Sequence, residues 1–159
     1  MSDDSSSDQA TSGEVITDIG SLLQLTDIKS VVFNEVSAKR TENEDAGDEE
    51  ELARFAMQIS SQLTTESIAV RCNINVTGAG GNYISDATAV FALSRPVEID
   101  ERTVTEFVQR VGVMAVYPYL RASISDSAAK IGRKAPLLRL LRPGDVKLER
   151  QAPPEEPAQ

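Results

Sequence analysis

The segment from Ser67 to Thr77 alternates apolar and polar residues without a break, and this pattern constrains the fold more than any other part of the chain. Successive side chains of a β-strand point to opposite faces, so the spacing predicts a strand with one buried and one polar face. Such a strand requires a sheet whose apolar face is covered by a second layer. The apolar positions are Ile68, Val70, Cys72, Ile74 and Val76.

Three further strands are predicted around it, at Leu23–Val36, Leu52–Leu63 and Tyr83–Leu93. The run Gly78–Asn82 predicts a hairpin turn rather than a phosphate-binding loop, because a strand-like run follows it instead of a helix beginning with Lys and Ser or Thr. Between the first two strands the acidic run Thr41–Glu51 predicts a solvated loop or crossover, since like charges repel.

A helix is predicted after the strands, with Asp100 as its N-cap and one apolar stripe at spacings of three and four. Gly112 and Pro118 interrupt it. Because proline removes a backbone donor, the pattern predicts a kink at Pro118 or two helices in series. The second part covers Tyr119–Ile131 and ends at Gly132. The stripe consists of Val104, Phe107, Val108, Val111, Met114 and Ala115.

The order of these elements predicts an α+β fold, in which a four-stranded antiparallel sheet is followed by a long kinked helix. After Pro136, a Leu-rich segment predicts a short helical turn, and Pro143-Gly144 suits a type II turn. Residues 1–18 and 149–159 are predicted to be disordered tails around a single domain over residues 19–148. The Leu-rich segment contains Leu137, Leu138, Leu140 and Leu141.

The chain has no histidine and one cysteine, Cys72. This composition removes Ser-His-Asp and Cys-His catalysis and most zinc sites, and it predicts neither a metal nor another cofactor. Cys72 lies in the apolar alternation and is interpreted as a buried hydrophobe. Catalysis by carboxylates such as Glu66 or Asp86 remains the enzymatic alternative to a protein that is not an enzyme.

The formal net charge of −9 argues against nucleic-acid binding, which depends on clustered cations. We see no signal peptide and no apolar run long enough to insert into a membrane, so a cytoplasmic location is predicted. The region after Ile131 is locally basic, and is interpreted either as an exposed helix face or as a site for acidic segments. Its cations are Arg133, Lys134, Arg139, Arg142, Lys147 and Arg150.

The apolar residues exceed what one sheet and one helix can bury. Tyr119 lies off the helical stripe, and the run Val31-Val32-Phe33 places apolar side chains on both faces of the first strand. Large apolar patches on soluble proteins mark interaction sites, so the surplus predicts oligomerisation, peptide binding or both.

The segment Val113–Val146 resembles the helical C-terminal part of the SecB chaperones. Tyr117-Pro118-Tyr119 matches the aromatic-Pro-Tyr motif of that family, and Leu140–Val146 matches its turn region. Gln24–Val36 is similar to the family's first strand, although family members that serve the secretion motor carry acidic residues where this chain has Ser30 and Asn34. The resemblance covers about Leu22–Val146.

The resemblance implies an ATP-independent holdase that binds unfolded polypeptides, either for export or for a dedicated client such as an antitoxin. It also implies a homo-oligomer, a tetramer built as a dimer of dimers. Docking to the secretion ATPase is put in question by the uncharged residues Ser30 and Asn34 at the positions matched to acidic ones. The alternative is an oligomeric protein-binding module that is not a chaperone. The predicted client contacts are Phe33, Val36, Leu138 and Leu141, and the predicted oligomer contacts are Phe107, Val111, Met114 and Tyr117.

Overall fold

The computed structural model describes residues 13–42, 53–142, 145, 146 and 148. Its main layers are a four-stranded antiparallel sheet and a long C-terminal helical segment, so the predicted α+β fold is confirmed. The elements in chain order are β1 (Val15–Ile16), α1 (Ile19–Leu25), β2 (Thr26–Arg40), β3 (Arg54–Leu63), β4 (Ser67–Gly78), β5 (Gly81–Leu93), β6 (Glu98–Ile99), α2 (Glu101–Phe107), a π-helical segment (Val108–Gly112) and α3 (Val113–Lys130).

The sheet has the strand order β2-β5-β4-β3, which leaves β2 and β3 as its two edges. The hairpin between β4 and β5 turns at Ala79 and Gly80, which have φ values of 50° and 71°. Positive φ at both central residues is the backbone conformation of a tight hairpin turn. The predicted turn in the glycine-rich run is therefore confirmed.

The first predicted strand began too early. Leu23 and Leu25 lie in helix α1, and the strand begins only at Thr26 and continues to Arg40. Asp18 caps α1 by accepting a 2.8 Å hydrogen bond from the Ser21 N–H, and Leu22 is fully buried beneath the helix. Two alternating leucines were too short a pattern to distinguish a strand from a capped helix.

Ordered structure also begins before Ile19. Val15 and Ile16 pair in parallel with Glu98 and Ile99, and Ile16 is buried. The end of the predicted N-terminal tail therefore belongs to the folded part. Residues 1–12 of that tail, most of the predicted acidic crossover, Pro143-Gly144 and the predicted tail at 149–159 lie outside the described residues.

The helical segment begins as predicted at Asp100, whose carboxylate accepts a 2.8 Å hydrogen bond from the Thr103 N–H. The departure from α-helical geometry lies in the π-helical segment, while α3 runs through Pro118 without ending there. Gly132, at a φ of 68°, follows the end of α3 and acts as the predicted helix stop.

The core lies between the helical segment and one face of the sheet. The apolar side chains of β4 that define its alternation are all buried. On the helical side of the core, Leu120 and Ile124 of α3 are fully buried. Phe107 of α2 packs edge-to-face against Phe91 of β5, with ring centroids 5.1 Å apart. The opposite face of the sheet carries the polar side chains of Arg71, Asn73 and Asp86.

Candidate functional site

A groove of about 810 Å³ runs along the edge strand β3. One wall comes from β3, β4 and Asp86 of β5, and the other from the segment after α3. Because the lining includes both odd and even positions of β3, the groove extends around the free edge of that strand. Apolar lining comes from Phe55, Met57, Ile59, Leu141, Val146 and Leu148, and polar lining from Gln58, Ser60, Arg71, Asn73, Asp86, Arg139 and Asp145.

The backbone of β3 presents hydrogen-bonding groups to this groove. Across the β3–β4 turn, the Thr64 N–H donates to the Ser67 carbonyl, and hydrogen-bonded residues then alternate along an antiparallel ladder. The even-numbered residues of β3 therefore bond to β4, and the odd-numbered residues point their N–H and C=O groups outward. Ala53 has the same parity, and its N–H donates outward to the Leu137 carbonyl at 2.9 Å.

Within the described residues, the outward groups of β3 beyond Ala53 have no backbone partner. The same odd positions point Phe55, Met57 and Ile59 towards the helical layer, where they are only partly buried. An edge strand with open backbone groups is a template for pairing with another extended chain. The groove therefore combines an apolar surface with a strand edge, which is the combination that binds extended peptides.

The segment after α3 is irregular instead of the predicted helical turn. Its carbonyl groups bond outside the segment, because Leu137 accepts from Ala53 and Arg139 accepts from the Tyr117 hydroxyl at 2.5 Å. These external partners replace the bonds that a helical turn would make within itself. The guanidinium of Arg139 lies over the Phe55 ring, 5.6 Å from its centroid. The segment is thereby fixed beside β3.

The four predicted client contacts divide between the two edges of the sheet. Phe33 and Val36 lie on β2 and are 42% and 50% exposed, whereas Leu138 and Leu141 are 4% and 6% exposed beside β3. Three strand spacings, about 14 Å, separate these edges. Leu141 lines the groove, but Leu138 belongs to the core of the chain. The accessible surface expected for both leucines is therefore not found within one chain.

The four predicted oligomer contacts divide in the same way. Phe107 is fully buried against Phe91, and Tyr117 is 4% exposed and packs near Phe55 with a centroid distance of 6.3 Å. These two side chains serve the core of the chain. Val111 and Met114 are only partly buried and keep surface that a second chain could contact.

A polar network on the outer face of the sheet holds the buried carboxylate of Asp86. Arg71 donates to it from Nε at 2.9 Å and from Nη2 at 2.7 Å. The side-chain amides of Asn73 and Asn34 each donate to it at 3.0 Å. These hydrogen bonds, led by that from Arg71, lower the pKa of Asp86 to about 2 against the opposing effect of burial. The carboxylate is therefore ionised at neutral pH.

Sequence reasoning predicted the strand that contains Phe55, Met57 and Ile59 but gave these side chains no functional role. It named Arg139 only as one cation of a possible site for acidic segments, and it did not single out Arg71. A signal existed for Arg139, because it interrupts a Leu-rich run in a locally basic region. None existed for Arg71, since its neighbours in the groove are distant in sequence. Groups of side chains that could hold a metal ion are not found in the part of the chain that the structure describes.

None of the helices formed by the described residues is both long and apolar enough to cross a membrane. The architecture defines an α+β protein with a peptide-sized groove along a free sheet edge. No protein-family model matches the chain.

Comparison with known proteins identifies the family. The chain is 42% identical over 131 residues to the SecB-like chaperone SmegB of Mycolicibacterium smegmatis, covering 82% of this chain and 86% of the relative. Its fold is similar to that of the Mycobacterium tuberculosis SecB-like chaperone Rv1957, solved in complex with a ChAD peptide from the antitoxin HigA1. That match has a TM-score of 0.62 at 14% identity and covers 78% of this chain and 95% of the other. The chain belongs to the SecB-like chaperones.

Proposed function

We propose that this chaperone is an ATP-independent holdase that binds extended segments of unfolded polypeptides in the β3 groove. The observation that carries the proposal is the row of outward backbone groups on β3 beside partly buried Phe55, Met57 and Ile59. A native client has already paired its backbone and buried its apolar side chains, so it has little to offer such a groove. Preference for the unfolded chain slows aggregation by mass action and requires no nucleotide.

Apolar burial in the groove and backbone pairing with β3 both tolerate many client sequences. Burial of apolar surface is non-directional, and pairing along a strand edge uses main-chain groups that nearly every residue possesses. A single groove of this kind binds weakly and can release its client. Several grooves in one oligomer raise the overall affinity through effective concentration while each contact stays reversible.

The oligomer is proposed to form through the surface of β2 together with Val111 and Met114. β2 is an edge strand of 15 residues with apolar side chains exposed on both faces, a surface that soluble monomers rarely leave uncovered. The proposed state is a closed tetramer built as a dimer of dimers, in the cytoplasm. The exposed residues are Ile28, Val32, Phe33 and Val36. A monomer mass by light scattering at micromolar concentration would contradict this assembly.

A dedicated client such as an antitoxin is the proposed biological role, supported by the structure of Rv1957 with an antitoxin peptide. Docking to the secretion ATPase is the weaker alternative. The two first-strand positions discussed for that role are neutral, and the Asn34 amide is occupied by bonds to Asp86 and Thr88. Catalysis has no part in the proposed mechanism, and the Asp86 carboxylate is fully engaged by its donors.

The test is suppression of aggregation of an unrelated unfolded protein by the full chain, without nucleotide. We expect suppression at stoichiometric amounts, and Met57→Ser together with Ile59→Ser should weaken it. Gln62→Ala, an exposed even position on the same strand, is the matched control. No suppression by the folded oligomer would contradict the proposed function and would favour a binding module that is not a chaperone.

Strand pairing has its own test in peptides with N-methyl groups at alternate residues. Methylation of one alternating set should abolish binding, because those N–H groups would face β3, whereas methylation of the other set should be tolerated. Binding that is insensitive to both sets would show that the groove recognises side chains alone.

A further inference from the structure

A second cleft, of about 450 Å³, lies where β3 turns into β4, and we call it the β6 cleft after the strand on its other side. Leu63, at the end of β3, is 44% exposed, and Val97 and Ile99 are only partly buried. These three side chains lie outside the lining of the β3 groove, so the fold leaves further apolar surface open here. The lining consists of Leu63, Thr64 and Thr65 on one side and Val97, Glu98 and Ile99 on the other.

Outward-pointing backbone groups of two strands border this cleft. Leu63 is one of the odd-numbered residues of β3, whose N–H and C=O groups point away from β4. On the other side, the Asp100 N–H donates to the Ile16 carbonyl at 3.1 Å, which sets the even-numbered residues of β6 against β1. The N–H and C=O groups of Ile99 therefore point away from β1. An extended chain that entered the cleft would find backbone partners as well as apolar side chains.

The cleft is continuous with the edge that forms the β3 groove. Ile59 in the groove and Leu63 in the cleft lie on the same face of the sheet, four residues or about 13 Å apart along the strand. Between them Ser61 is small and polar. A chain paired with the whole of β3 would therefore place side chains four residues apart in the groove and in the cleft.

The sequence and the strand order favour a client as the occupant. Residues 2–13, which precede β1, are polar apart from Ala10 and are poorly suited to an apolar cleft. A second copy of the chain is proposed to assemble on β2, which is the opposite edge of the sheet. An extended apolar segment of a client fits both the lining and the backbone edges.

We propose that the β6 cleft is a second client subsite, which takes an apolar side chain four residues beyond the last one in the β3 groove. The inference rests on the proposed function, because it extends the same client along the same strand. The preferred client segment then covers about nine residues, the length from Phe55 to Leu63. Its apolar residues share one face, and a polar residue is tolerated beside Ser61.

The experiment measures binding of the full chain to labelled peptides by fluorescence anisotropy. A common pentapeptide, Leu-Ser-Leu-Ser-Leu, is extended by four residues at one terminus or the other, because strand pairing can run in either direction. The extension contains three Ser and one Leu, and the Leu is third or fourth from the pentapeptide. The two isomers have the same composition, but only the fourth position lies on the face of the pentapeptide leucines.

For the terminus that reaches Leu63, we expect the isomer with Leu in the fourth position to bind about tenfold more tightly than the isomer with Leu in the third. Leu63→Ser should remove this difference and leave the affinity for the third-position isomer unchanged. Val97→Thr, which is similar in shape and acts from the other side of the cleft, should reduce the difference and guards against a misfolded Leu63 variant. Leu23→Ser, which replaces a leucine of matched exposure (45%) on α1 outside both sites, is the control.

Equal affinities for the two isomers at both termini would overturn the inference and leave the proposed function intact, provided that the peptides bind. A tenfold difference that survives in both Leu63→Ser and Val97→Thr would also overturn it, because the fourth Leu would then bind elsewhere. Failure of every peptide to bind would count against the β3 edge as the client site, and so against the proposed function as well.

Discussion

Gly112 of the π-helical segment lies directly against Val70 of β4. A Cβ atom added to Gly112 would be 2.5 Å from Cγ2 of Val70 and 3.0 Å from Cγ1. Val70 is fully buried and branched at Cβ, so it has no alternative position into which it can easily turn. The contact sets how closely the helical segment approaches the sheet, and glycine is the residue that permits this distance.

Gly112→Ala should therefore destabilise the fold although alanine favours helices. The gain in helix propensity is about 1 kcal/mol, whereas overpacking a dense core costs about 1–3 kcal/mol. Urea unfolding of the variant should show a lower midpoint. In a Val70→Ala background the same substitution should cost much less, because the clashing methyl groups are gone. An equal loss in both backgrounds would show that the contact with Val70 is not the cause.

The Cys72 thiol should be inert in the folded protein. It is completely buried, and burial, assisted by the charge of Asp86, raises its pKa to about 12. Since the thiolate is the reactive form, alkylation at pH 8 should proceed only after local or global opening. Native protein should then show almost no labelling within minutes. Protein unfolded in about 6 M guanidinium should be labelled at once. Rapid labelling of the native protein would contradict this burial.

Asp86 should give the fold a defined sensitivity to acid. Its folded-state pKa of about 2 lies below its ordinary value of 3.8, so the ionised carboxylate stabilises the fold above about pH 4. That contribution, about 2 kcal/mol, should be lost as the pH falls from about 4 towards 2. Asp86→Asn should be less stable at pH 7 and should lose less stability on acidification.

Comparison of the native chain with Asp86→Asn isolates the contribution of the Asp86 carboxylate to stability. Asp18 and Asp100 also have pKa values lowered by their capping hydrogen bonds to Ser21 and Thr103, but they are present in both proteins. The measurement is the free energy of unfolding of both proteins, from urea titrations at pH 7 and at pH 3. Parallel losses of stability on acidification would indicate that Asp86 is not the group responsible.

The sheet could be predicted from the sequence because its signals are local. The unbroken alternation in β4 and the cap at Asp100 each lie within a few residues. The start of the first strand was wrong for a local reason, the short capped helix α1, but the path after α3 was decided by distant contacts. Leu137 and Arg139 bond to residues far away in sequence, and these bonds draw their segment into an irregular path.

The groove was less predictable for the same reason. Its two walls come from strands β3–β5 and from the segment after α3, which are far apart in the chain. Alternation shows that Phe55, Met57 and Ile59 share a face, but it does not show whether the neighbouring space is filled. The family resemblance gave the class of protein, and only the strand order revealed that β2 and β3 are opposite edges.

The division of the predicted client contacts can be tested by separating stability from binding. Leu138→Ala removes a buried side chain and should cost about 2–5 kcal/mol of unfolding free energy. Phe33→Ala, on the exposed side of β2, should change stability little and should weaken client binding or assembly instead. Leu141→Ala should do both, because Leu141 is buried and also lines the groove. Measurement of the urea midpoint, the oligomer mass and the affinity for an unfolded client distinguishes these outcomes. If Leu138→Ala left the midpoint unchanged and weakened client binding, that leucine would belong to an accessible client surface.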